Sequence, residues 1–236
     1  MTLSTFSRQC AVILVAASAA FIAYAQSKLP ADLDPQSRAR LPYLKSSEVD
    51  AKGKKVVDIF GKSGTVSGPL AFATYNPAVG QALLDLHDAA ITGGTLDPYT
   101  RELAILVACR ETNYNLEWNG HEASALKAGI DAKLIDVVRK RGPLTGLNEK
   151  DATVIRFGRQ MLTDKKVDSA TFAKAVGLWG KRGTMDMVAA MTTYAVSGYF
   201  AIAVDEHSAE GKPELPAVLP SPSLSTRPKS SPNFPR

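Results

Sequence analysis

From Ser47 to Asp205 the apolar residues recur at helical spacing, and no stretch alternates with period two. That pattern predicts an all-α domain with no sheet to organise it. Two helix starts are marked chemically: Asn76-Pro77 and Asp97-Pro98 each set a capping side chain before a proline suited to a first turn. The spacing predicts a first helical segment over 47–60, then one from Asn76-Pro77 with Val79, Leu83, Leu84 and Leu86 as its apolar face. A third runs from Asp97-Pro98 toward Arg110, and a fourth from Leu116 to Ala128, closed by Gly129. Shorter helices are expected over 131–141, 148–163 and 168–180, with a last one over 185–205. That last segment carries no charge from Met187 to Val204. Thr192, Thr193, Ser197 and Gly198 dilute it, so burial in a core or a subunit interface is expected in preference to a membrane span.

The two ends read differently. Arg8 is followed by an uncharged run from Cys10 to Ala25 that closes on Ala23-Tyr24-Ala25, which describes a secretory signal over 1–25 cut after Ala25. A periplasmic or secreted protein is therefore expected, with no stable membrane association once the signal is gone. Residues 26–40 are polar and punctuated by proline, an irregular lead-in to a helical domain over 41–218. Residues 219–236 hold five prolines and five serines and are expected to be a disordered tail. Of the two cysteines, Cys10 leaves with the signal, so Cys109 has no partner for an internal disulfide and the fold rests on its core. The net charge of +5 is scattered, without basic patches interleaved with aromatics, which excludes nucleic acid as a partner class.

Chemistry concentrates between Arg101 and Gly129. On the third helix Glu102 shares a line with Leu106 and Cys109, the inward stripe. An ionised carboxylate there needs a partner, and a structural pairing with an arginine competes with general acid or base work. Glu117 and His121 stand four apart on the next helix and so share a face. A carboxylate beside an imidazole fixes its tautomer and raises its pKa, as a proton shuttle requires. Trp118 flanks the pair and is placed to wall an apolar pocket. His121-Glu122 begins like a zinc-protease motif, but Ala125 stands where the second histidine belongs, so no metal site is expected. His87 is read as a core or pocket-edge residue, His207 as a solvated helix end.

The run Arg101-Glu102-Leu103-Ala104-Ile105-Leu106, then Glu117-Trp118 and His121, then Ala128-Gly129, resembles the carboxymuconolactone decarboxylase family, which includes the AhpD-like alkylhydroperoxidases. Gly68-Pro69-Leu70 and the stretch from Gly211 to Pro216 resemble that family's flanks. The resemblance implies an all-α AhpD-like bundle that assembles as a trimer or hexamer. In the peroxidase branch two cysteines lie between the glutamate and the histidine; here those positions hold Tyr114 and Glu117, so disulfide-based peroxide reduction is disfavoured. The decarboxylase branch implies a cofactor-free lyase or isomerase acting on a small carboxylated, lactone-type substrate. Its expected catalytic residues here are Glu102, Glu117 and His121, with Tyr114 and Trp118 as substrate contacts and no cofactor or metal. Arg101 and Arg110 are weaker candidates for holding an anion. The alternatives are an antioxidant alkylhydroperoxidase and a non-catalytic oligomeric binding protein.

Overall fold

A computed structural model describes residues 30–216. The signal segment 1–25 and the tail 219–236 lie outside them. Seven α-helices build the described part: α1 (Lys54–Phe60), α2 (Pro77–His87), α3 (Pro98–Glu111), α4 (Asn115–Lys127), α5 (Ala132–Arg139), α6 (Glu149–Arg159) and α7 (Ser169–Ala203). Among the described residues the one β feature is an isolated bridge between Lys45 and Thr65, so the chain is all-α.

Helix α3 is the axis of the bundle. Every residue from Glu102 to Arg110 is buried, with α4, α6 and α7 packed around it. A single inward stripe therefore understates it, because a helix apolar nearly all round belongs in a core. Asp97 accepts from the Thr100 backbone N–H at 3.0 Å and opens α3 as its sequence suggests. At the other end, buried Glu111 is held by Arg141 at 2.8 Å and Arg159 at 3.8 Å, which ties α3 to α6. Gly129, at φ +90°, ends the α4 region in the left-handed conformation that favours glycine.

Several expectations shift. The segment predicted over 47–60 is two short 3-10 turns followed by α1. On α2, Val79 and Leu86 are exposed, and Leu84 carries the burial. Asn76 precedes α2 without a side-chain cap bond. The two last helices are one long helix broken at Gly180, whose φ of 68° and ψ of 174° interrupt the helical path. No described helix is long and apolar enough to cross a membrane. The lead-in is irregular yet anchored: Arg40 N–H donates to the Val204 carbonyl at 2.7 Å, and Ala39 packs with Phe72 and Val204. After α7, residues 205–216 return over α4. Asn115 accepts the Leu215 N–H at 2.7 Å, and Asn119 donates to the Pro213 carbonyl at 3.2 Å.

Candidate active site

Glu102 reaches the site from α3, and Glu117 and His121 from adjacent turns of α4. The shortest bond of the cluster joins the two helices, with His121 Nδ1 lying 2.7 Å from Glu102 Oε2. His121 Nε2 lies 3.3 Å from Glu117 Oε2. Both ring nitrogens thus face carboxylates, and the i,i+4 pair anticipated in the sequence is the longer of the two contacts. The side chains are 19%, 12% and 15% exposed for His121, Glu102 and Glu117, so water screens them little. Burial pulls the imidazole pKa down, but the accepting carboxylates of Glu102 and Glu117 outweigh it and raise it to about 9. At neutral pH His121 is an imidazolium that donates from Nδ1 to Glu102 and pairs through Nε2 with Glu117. The ring of Tyr194 meets it edge-on, with centroids 4.8 Å apart.

Beside this chain of three lies a cavity of roughly 230 Å³. Ile59, Phe60, Leu70 and Leu83 supply apolar wall, and Glu117, His87 and Tyr194 bring polar groups to it. His121 and Glu102 are not among its lining residues. The arrangement is a relay: Glu117 meets the cavity, His121 stands behind it, and Glu102 holds His121 from the core. Tyr194 Oη lies 3.4 Å from His87 Nε2, which places a second polar pair at the same cavity. Burial pushes the Tyr194 phenol up, so it stays neutral and keeps its proton.

The other sequence candidates separate from this group. Trp118 is buried, donates from its indole N–H to Glu122 at 3.0 Å, and lies beneath the Arg139 guanidinium at 5.1 Å. It does not line the cavity. Tyr114 is also buried and does not line it; its hydroxyl approaches the Pro69 carbonyl at 3.4 Å and so supports the wall from behind. Arg110 is committed to Asn113 at 3.0 Å and to the Pro216 carbonyl at 2.8 Å, which removes it as an anion holder. Cys109 is fully buried, and burial, then Glu117 and Glu102, push its thiol up, away from a reactive thiolate. Among the described residues no group of His, Cys, Asp and Glu is arranged to hold a metal ion. Tyr194 went unseen in the sequence: it stands in the uncharged run of α7, and nothing local distinguishes it from the core residues around it.

The segment that holds these three residues also carries a family match. Residues 77–154 match the carboxymuconolactone decarboxylase family. Glu102, Glu117 and His121 all fall inside this carboxymuconolactone decarboxylase match, which spans less of the chain than the flanks suggested. No curated protein matches the sequence. Among the solved structures similar in fold are the following two. One is a crystal structure titled alkylhydroperoxidase AhpD core, an uncharacterized peroxidase-related protein from Ralstonia eutropha JMP134, with TM-score 0.57 and 18% identity over 73% of this chain and 93% of that one. The other is an uncharacterized peroxidase-related protein from Silicibacter sp. TM1040, with TM-score 0.52 and 16% identity over 79% and 92%. The bundle is AhpD-like.

Proposed function

We propose that this chain is a small-molecule enzyme of the lyase or isomerase kind, moving protons by carboxylate and imidazole alone. The observation that carries it is the relay itself: a carboxylate at a cavity wall, backed by an imidazolium that a buried second carboxylate fixes. Glu117 accepts a proton from a carbon acid in the cavity or returns one to it. His121 faces Glu117 through Nε2, and Glu102 orients the ring through Nδ1. The Tyr194 hydroxyl is available to the oxygen on which charge develops. The resemblance implies a carboxylated, lactone-type substrate, yet the residues lining this cavity include no Lys or Arg. We therefore retain the proton chemistry without a substrate carboxylate. The peroxide alternative loses support from the sealed Cys109.

The test is proton exchange. Small ketones and lactones are incubated with the protein in D2O, and loss of C–H signal is followed by NMR. Exchange that disappears in Glu117→Gln and His121→Ala supports the reading; exchange equal to that without protein, for every compound of the panel, sinks it. Export and self-association belong to the same proposal. N-terminal sequencing of the secreted fraction is expected to begin at Gln26. Light scattering is expected to give a trimer or hexamer, with exposed Met185, Tyr199 and Ile202 on α7 as candidate interface residues.

A further inference from the structure

Charge and shape at the cavity restrict what it can hold. Glu117 and Asp88 bring carboxylates to the lining, and His87 is its one basic residue. Arg110 is spent on Asn113 and Pro216, and Arg101, although next to Glu102 in sequence, is not among the lining residues. An anion entering here gives up its hydration beside two carboxylates and meets no guanidinium or ammonium in the lining; the His121 imidazolium stands behind Glu117, and Arg101 reaches Tyr194 only through its charge. An apolar body, by contrast, gains from contact with Ile59, Phe60, Leu70 and Leu83. A 150 Å³ apolar cavity accommodates benzene, so this one suits a molecule of about nine non-hydrogen atoms. The polar lining consists of the acceptors Glu117 and Asp88, the Tyr194–His87 pair, whose hydroxyl is 3.4 Å from the ring nitrogen, and Thr193 and Ser197, whose hydroxyls donate to carbonyls of their own helix.

The geometry points to a neutral, ring-sized substrate that donates a hydroxyl to Glu117 or accepts from the Tyr194 hydroxyl through a carbonyl, and buries its apolar remainder against α1 and α2. This substrate class rests on the acid–base reading of the site, but it makes a claim about binding that stands or falls separately. Specificity comes from exclusion: the carboxylate that does the chemistry also rejects anions.

The experiment compares 2-phenylethanol with phenylacetate, nearly the same shape but neutral against charged, by saturation-transfer NMR titration of the full chain at pH 7.5. The alcohol is expected to bind at least tenfold more tightly. Glu117→Gln is expected to narrow that gap to less than threefold by admitting the anion. Ile59 is half-exposed at the cavity rim, so Ile59→Arg can be made without disturbing the core. It is expected to raise phenylacetate affinity at least fivefold and to weaken the alcohol. Phenylacetate binding as tightly as the alcohol in the unaltered chain overturns the inference. Absence of binding by both probes overturns it too, as does indifference of both to Ile59→Arg. If the alcohol binds as expected while no compound exchanges protons in D2O, the acid–base reading fails and the substrate class survives.

Discussion

Two histidines in this fold stand between two carboxylates, and the contrast shows what makes such a trio useful. His121 has Glu102 at 2.7 Å and Glu117 at 3.3 Å, all three side chains less than one-fifth exposed. His207 has Glu214 at 3.3 Å and Asp205 at 3.7 Å, with exposures of 28%, 50% and 41%. Each trio sets one imidazole between two carboxylates. The first trio lies against the central helix, where Coulomb attraction is poorly screened and the imidazolium is stabilised. The second lies on the return segment after α7, where water and ions reach the Asp205 and Glu214 carboxylates, although His207 Nε2 is itself buried without a hydrogen-bond partner. Burial, more than composition, separates the proposed relay from the half-exposed cluster around His207.

The sharpest way to break this comparison is to remove each ring. His121→Ala is expected to lower proton-exchange turnover by about 10²- to 10⁴-fold, while His207→Ala changes it less than about twofold. Equal losses, measured under the same conditions, erase the distinction. Next in size is the pH dependence of stability. The folded pKa of His121 is about 9 against 6.5 for the free side chain, so the folded state holds an extra proton between those values. Its contribution is fully present below pH 6.5 and is lost as pH rises through 9, on the order of 3 kcal/mol. Urea unfolding of the unaltered chain is expected to follow that decline, and His121→Gln to flatten it.

A third test uses Glu206, which lines a polar recess near the His207 trio. Burial, then the charge of Glu117, raise its carboxyl to about 7. The folded state again keeps an extra proton, so stability falls as pH climbs from 4.5 through 7. Glu206→Gln is expected to stabilise the protein by about 1–2 kcal/mol at pH 8 and to do little at pH 4, read as a shift in thermal midpoint. The smallest effect is the coupling between His207 and Glu214. A double-mutant cycle should return less than about 1 kcal/mol; a larger value would place that pair in the same class as the buried one.

How much of this was legible in the sequence follows from the range of each interaction. Caps are local, and Asp97, Asn148 and Asp168 all accept from a backbone N–H at the predicted helix starts. The i,i+4 contact of Glu117 with His121 is local too. The Glu102–His121 bond joins two helices through the intervening turn, and the spacing gave no sign that it would be the shorter. The π turns over Asp88–Thr92 and Gln160–Asp164 carry no proline or glycine to announce them. The cavity draws on α1, α2, α4 and α7 together, so its lining is a property of packing that no single segment encodes. Trp118 shows the cost of local reasoning: adjacency to the motif suggested a pocket wall, while its indole turns toward Glu122 and Arg139 instead.

Sealed inside α3, Cys109 offers an experimental handle unrelated to catalysis. With Cys10 replaced by serine, Cys109 is the only thiol in the chain. A thiol reagent then reacts only when the bundle opens far enough to uncover its axis. The labelling rate becomes a clock for rare opening events, and slowing of that clock by an added compound reports ligand capture without knowledge of the reaction.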